Sequence, residues 1–215
     1  MELIHKIFIA NGAWQTILNG LWATVQISAL SLLFGTLLGA LICFLRVGKI
    51  KPLKLFAQGY ISIVRGSPVL MLLMLLFYGV FARSGLSPIT VAVVTFSLHT
   101  AAHVAELLRA ALMAIDTGQV EAARTLGFSK FQAFKLVTMP QIVRIAKPVY
   151  QSTVINLIQW TSVVGYVTIT DLTRVINNIA ARTMQPMITI IGGMIIYLAL
   201  SYIVQGIFHL TEAKK

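Results

Sequence analysis

Charge-free apolar runs alternate with short polar connections along this chain. Leu21 to Leu45 carries no charged residue over 25 positions, more than the ~20 that cross a hydrocarbon core. Further runs at about 66–82, 88–108, 149–170 and 187–208 predict five spans, each helical because a helix satisfies its own backbone in lipid. Met1 to Asn19, with Trp14 and scattered polar residues, reads as a short interfacial segment. Ser31, Gly35 and Gly39 recur every four positions. They place small residues on one face of the first span, where a second helix can approach closely; packing within the subunit is favoured over dimerisation. Leu55 to Val64 is apolar but too short to span, and Arg65-Gly66-Ser67-Pro68 interrupts it. Pro68 lacks a backbone donor and pushes Ser67 out of helical geometry, so the second span is expected to start at Ser67 or Pro68.

One stretch breaks the apolar pattern. Glu121 to Pro140 looks soluble in an otherwise oily sequence. Asp116 or Thr117 can cap a first helix there, and Gly127 can take the left-handed conformation that ends it. Ser129 and Gln132 then form an S-x-x-Q capping box for a second helix, which Pro140 is expected to stop. Phe128, Phe131, Phe134 and Val137 recur every three residues as one apolar stripe. The product is a bent, two-helix knob suited to a pocket on another protein.

At 58% hydrophobic and 11% charged, the chain has too little polar surface for a soluble domain of its size. It is expected to be an integral membrane protein, all-α, a five-span helical bundle forming a single transmembrane domain. The net charge of +11 does not imply nucleic acid, because no basic cluster is interleaved with aromatics on a polar face. The single Cys43 excludes an intramolecular disulfide and lies within an apolar run as a small hydrophobe. The first fifteen residues lack a compact basic start and a small-residue cleavage site, so the first span is expected to direct insertion itself.

The soluble stretch carries a resemblance. Glu121-Ala122-Ala123, three residues, Gly127, nine residues, then Val137, Met139 and Pro140 resembles the EAA loop of bacterial ABC importer permeases of type I. Val137 and Met139 stand where Ile and Leu are usual. The resemblance implies that a loop over about 114–147 is cytoplasmic and couples to an ATPase subunit, with Glu121, Ala122, Ala123, Gly127, Phe128, Phe131 and Pro140 as its contact and shape residues. Arg65-Gly66-Ser67-Pro68 and Ala105-Glu106-Leu107-Leu108-Arg109 leading to Ala114-Ile115-Asp116-Thr117-Gly118-Gln119 resemble the polar amino-acid subclass. The chain departs from that subclass at His99 and His103, where Asn and Tyr are common, and at Gln159-Trp160-Thr161-Ser162, where Lys-Asp-Thr-Ser is usual.

No G-x-x-x-x-G-K-[ST] motif is present, so no nucleotide site is expected here. The resemblance implies a permease subunit of an ATP-driven importer for a small polar solute, an amino acid by subclass. It also implies that ATP and Mg are held by partner ATPase subunits, with a second permease subunit (a copy or a paralogue) and an external solute-binding protein.

Polar residues within the spans are the candidates for a substrate path: His99, His103, Glu106, Ser152, Asn156, Gln159, Thr161 and Ser162. Ser152, Asn156 and Gln159 share one helical face, where lipid would leave them unsatisfied; hydrogen bonding between helices is the other reading. His99, His103 and Glu106 also share a face, but zinc wants His-Glu-x-x-His or further ligands, and no metal site is expected. Glu106 and Arg109 are one turn apart and can neutralise each other. Asp171, Arg174, Asn177, Asn178 and Arg182 read as a polar outer connection, with Asp171 and Arg174 spaced for an ion pair. A proton-coupled secondary transporter using His99, His103, Glu106 and Asp171 is the alternative, but the halves show no internal repeat.

Orientation follows from the basic residues. With the amino terminus outside, inner segments hold Arg46, Lys49, Lys51, Lys54, Arg109, Arg124, Lys130, Lys135, Arg144, Lys147, Lys214 and Lys215, and outer ones hold Lys6, Arg83, Arg174 and Arg182. A threefold excess puts the carboxyl terminus and Glu121 to Pro140 on the cytoplasmic side, and the resemblance implies that the membrane is a bacterial inner membrane.

Overall fold

A computed structural model of the chain describes residues 7–9 and 12–210, and these are helical with short turns. Helix α1 spans Ala13–Val47, α2 Lys51–Gly66, α3 Val69–Met74, α4 Pro88–Met113, α5 Thr117–Thr125, α6 Lys130–Ala133, α7 Met139–Trp160, α8 Leu172–Thr183 and α9 Pro186–Leu210. Two π-helical turns, Leu75–Val80 and Phe134–Thr138, extend α3 and α6, and a 3-10 helix, Thr161–Val167, follows α7. Ile27, Leu73, Phe96, Leu157, Val164 and Val167 fill the main core between these elements.

The small residues of α1 meet α4. A Cβ on Gly35 would lie 2.7 Å from Thr100 Cβ, and one on Gly39 2.7 Å from Val104 Cβ. The Ser31 hydroxyl donates to the Val93 carbonyl at 3.3 Å. The stripe therefore serves packing within the subunit. Residues 35 and 39 meet 100 and 104 in the same order, so α1 and α4 run parallel. Helix α7 runs against α4, with Ile142 beside Leu107 and Trp160 beside His99. Helix α9 runs parallel to α1, with Leu200 in one groove with Thr24 to Leu32 and Phe208 in the next with Thr36.

Several elements differ from the sequence reading. Helix α1 begins at Ala13, so Trp14 to Asn19 are continuous with the helix of the first span; residues 1–6, 10 and 11, with Lys6, lie outside the described residues, as do Lys214 and Lys215. The stretch before Arg65 is a full helix, α2, bent by 109° from Val69–Val80. Pro68 is its neighbour's N-cap, as a residue without a backbone donor can be. Pro140 does not stop a helix but is the second residue of α7, where its missing donor costs nothing. The preceding π turn, in which Met139 N donates to Phe134 O, carries the chain into α7 without a break. Pro148 also lies inside α7.

The run 149–170 is not one helix. It leaves α-geometry at Trp160, and Thr168 adopts φ 68°. By length and hydropathy, Ala13–Val47, Pro88–Met113 and Pro186–Leu210 can each cross a membrane, and the bent pair Lys51–Gly66 with Val69–Val80 makes four. Among the described residues five are not reached on that measure, because α7 carries Arg144, Lys147 and a polar stripe. The polar connection after it is an amphipathic helix, α8, burying Leu172, Val175, Ile176 and Ile179.

Candidate functional site

The soluble stretch folds as a projecting pair of short helices. Asp116 Oδ1 accepts from Gly118 N at 2.8 Å and starts α5. Gly127 adopts φ +90°, a conformation that a side chain disfavours. Its N–H donates to Arg124 O at 3.1 Å, and Phe128 N donates to Ala123 O at 3.2 Å, so the last carbonyls of α5 are satisfied as the chain reverses. The Arg124 guanidinium braces the turn by donating to Phe128 O at 2.5 Å. The capping box is complete: Gln132 N donates to Ser129 Oγ at 3.2 Å, and Ser129 N to Gln132 Oε1 at 2.7 Å.

Across residues 121–136 only Ala123 and Ala133 are buried. Glu121 and Ala122 face solvent, and Phe128, Phe131 and Phe134 are 37%, 71% and 44% exposed. An apolar surface of this kind marks an interaction site. Gln141, which the sequence did not single out, ties α7 back to the knob. Its amide donates to Gln119 Oε1 at 2.8 Å and Val137 O at 2.9 Å.

The intramembrane candidates divide into separate places. His99 and His103 have ring centroids 4.9 Å apart, and Trp160 packs 4.5 Å from His99 and 5.1 Å from His103. Three of the positions at which the chain departs from the amino-acid subclass thus form one cluster between α4 and α7. Sequence reasoning put His99 and His103 on one face but did not join Trp160 to them, since it lies far along the chain. His99 is buried, and its Nδ1 has no hydrogen-bond partner among the described residues.

One turn along α4, Glu106 Oε1 accepts from Arg109 Nη2 at 2.6 Å and Nε at 3.1 Å. Arg46 from the end of α1 joins them, its Nε 3.4 Å from Glu106 Oε2 in an ion pair that lacks hydrogen-bond alignment. The Glu106–Arg109 contact was legible from spacing; the Arg46 contact comes from the parallel packing of α1 on α4.

Ser152, Asn156 and Gln159 are exposed on the outer face of α7 rather than enclosed by this chain. Gln159 borders a groove of about 390 Å³ with Ile195, Tyr197 and Ser201 of α9. Thr161 is buried, and its hydroxyl donates to Ile158 O at 2.7 Å, which ties the start of the 3-10 helix to the end of α7. Ser162 lies apart again, in a polar pocket of about 370 Å³ with Tyr166, Arg174 and Asn177.

Asp171 is fully buried and caps α8, accepting from the backbone N–H groups of Thr173 and Arg174, both at 3.1 Å. Burial pushes its carboxyl above the usual range while those donors pull it down. The expected side-chain pair is replaced: Arg174 Nη1 donates to Gly165 O at 2.7 Å. Among the described residues no three His, Cys, Asp or Glu side chains converge as a metal-binding group.

Residues 31–215 match the family of binding-protein-dependent transport system inner membrane components. The chain is 33% identical to YckA of Bacillus subtilis, named as a probable amino-acid ABC transporter permease protein, over 99% of this chain and 95% of the relative. It is 30% identical to the L-cystine transport system permease protein TcyB of the same organism, over 99% and 90%. A crystal structure of an amino acid ABC transporter with histidines superposes with a TM-score of 0.83 at 30% identity, covering 94% of each chain. The MetNI methionine ABC transporter, at 20% identity and a TM-score of 0.75, shares the fold. By sequence along nearly its whole length and by the arrangement of its helices, this chain belongs to the binding-protein-dependent inner membrane components, the permease subunits of type I ABC importers.

Proposed function

We propose that the solute moved is an amino acid. The observation that carries this is end-to-end likeness to permeases named for amino acids and L-cystine. In this reading Thr117–Thr125 and Lys130–Ala133 form the knob that seats in an ATPase subunit, with Glu121, Ala122, Ala123, Gly127, Phe128, Phe131 and Pro140 giving its contacts and shape. The exposed phenylalanines support it, because an apolar cluster on a soluble projection asks for a protein partner. ATP and Mg belong to that partner, and an external solute-binding protein and a second permease subunit complete the importer.

The proposed orientation has the amino terminus outside and the carboxyl terminus cytoplasmic. Parallel α1, α4 and α9 support it, since all three end on the side where Arg46, Lys49, Lys51, Lys54, Arg109 and the knob's basic residues gather. The alternation of directions also supports five crossings near 21–45, 66–82, 88–108, 149–170 and 187–208, the fourth completed by the 3-10 segment, with the cytoplasmic loop over about 114–147. The path candidates are His99, His103, Glu106, Ser152, Asn156, Gln159, Thr161 and Ser162. The exposed stripe on α7 becomes useful when a second permease subunit covers it, because its amides then face water or protein instead of lipid.

The test is uptake into proteoliposomes holding this chain with its ATPase and solute-binding protein, using labelled amino acids in competition with one another. Uptake of one or a few amino acids that requires ATP hydrolysis is expected. ATP-driven uptake of a sugar or metal with no amino acid transported would refute the substrate assignment, and gradient-driven uptake by this chain alone would refute the partner assignment.

A further inference from the structure

Arg174 is a cation that the fold leaves without a counter-charge. Asp171, the partner expected from spacing, is fully buried and spends its oxygens on the backbone N–H groups of Thr173 and Arg174, both at 3.1 Å. Among the described residues no carboxylate comes within ion-pair distance of the Arg174 guanidinium. One N–H of that group is committed: Nη1 donates to Gly165 O at 2.7 Å, which holds the side chain against the 3-10 helix. The other four N–H groups of the fork have no acceptor among the described residues.

The side chain borders a pocket of about 370 Å³ with Ser162, Gly165, Tyr166, Thr173 and Asn177, and no acidic residue lines it. Neither the Asn177 amide nor the Ser162 hydroxyl has a hydrogen-bond partner among the described residues. A recess with one fixed guanidinium and spare amide and hydroxyl donors suits a single negative charge. A planar carboxylate matches the fork with two parallel bonds, whereas a phosphate would bring more charge than one Arg answers. The pocket lies at the end of the bundle away from the knob. Gly20, near the start of α1, packs against Asp171 and Val175, and Tyr78, in the π turn after α3, donates to Tyr166 O at 2.9 Å. In the proposed orientation this is the outer side, where solute arrives.

We infer that this pocket takes the α-carboxylate of the arriving amino acid, with Arg174 as its anchor and Asn177 and Ser162 as further donors. The inference rests on the amino-acid reading and the orientation proposed above. An Asp or Glu side chain of the solute-binding protein offers the same chemistry, but docking needs only a charged surface. A recess of this volume has room for a whole small zwitterion.

The test uses the complete importer in proteoliposomes, fed by solute-binding protein loaded from a radiolabelled mixture of amino acids. Two quantities are read: the maximal rate of uptake, and the concentration of loaded binding protein that gives half of it. Arg174→Gln should lower the maximal rate about tenfold or more, the effect of losing a charged hydrogen-bonded anchor, and leave half-saturation unchanged. Arg174→Lys keeps the charge and should recover part of the rate. Asn177→Asp leaves Arg174 and its bond to Gly165 in place but sets a competing carboxylate in the pocket; uptake should fall while thermal unfolding of the complex stays the same. A parent that imports amino acids, with Arg174→Gln and Asn177→Asp matching it, overturns the site. Half-saturation that rises while the maximal rate holds would give Arg174 to the solute-binding protein instead. Equal losses in both Arg174 variants, with Asn177→Asp like the parent, would leave Arg174 a structural role alone. A parent that imports no amino acid at all would remove the substrate reading on which the site rests.

Discussion

Replacing Gly127 by Val tests whether the bend between α5 and α6 sets the shape of the knob. The residue holds φ +90°, and a Cβ built there meets nothing within 4 Å. The penalty is therefore one of backbone conformation alone, about 1–2 kcal/mol for an ordinary side chain and more for a β-branched one. At ~1.4 kcal/mol per factor of ten, the observed bend loses roughly five- to thirtyfold in population against alternatives. Little opposes that shift, because the turn is held by Gly127 N to Arg124 O, Phe128 N to Ala123 O and the Arg124 side chain. Asn tolerates this conformation better than Val, so Gly127→Asn should retain most function and Gly127→Ala should fall between. The assay is uptake and ATP hydrolysis by the assembled importer, with membrane expression as control. Val is expected to express normally but to bind the ATPase weakly or to hydrolyse ATP without uptake. If Val and Asn both matched the parent in uptake and hydrolysis, the bend would not be what couples the subunits.

Three other comparisons of variants probe the structure. Gly39→Leu forces α1 from Val104, where a Cβ already comes within 2.7 Å; overpacking of about 1–3 kcal/mol should lower thermal stability in detergent. Gly206→Leu, whose Cβ meets nothing within 4 Å, should be tolerated; equal effects would contradict the packing role. Glu106→Gln leaves Arg46 and Arg109 facing each other and should cost about 1–3 kcal/mol. Arg46→Met added to it should recover part of the loss, and strict additivity of the two changes in thermal unfolding would argue against coupling. Ala123→Leu enlarges a residue buried within the knob and should abolish uptake with insertion intact, while Ala123→Ser, close to it in size, should keep transport. Equal uptake by both would mean that the size of this residue does not shape the knob.

What could be read from the sequence was what lies within four residues of its cause. The Asp116 cap, the Ser129–Gln132 box and the Gly127 reversal depend on adjacent backbone groups, and each is present. Pro140 was misread because a proline at a helix start and one at a helix end look alike in sequence. The π turn that separates these cases, closed by Met139 N on Phe134 O, has no side-chain signature. Helix α8 was hidden by its charges, although Leu172, Val175, Ile176 and Ile179 carried the spacing of a half-buried helix. The cluster of His99, His103 and Trp160 needed the antiparallel docking of α7 on α4, which no local pattern states.

That docking also explains why α7 falls short on hydropathy alone. Helix α7 presents Val154, Leu157 and Ile158 to the bundle and leaves Ser152, Asn156 and Gln159 outside, so its mean hydropathy falls while its path beside α1 and α4 stays fixed. With α1, α4 and α9 parallel, the chain must return once between Val47 and Pro88 and once between Met113 and Pro186. The bent pair Lys51–Val80 and the segment Met139–Val167 are what the structure supplies for those returns. Polar exposure on the second of them then follows from position rather than from error in the pattern. A return helix at the edge of one subunit can keep such a face only where something other than lipid covers it.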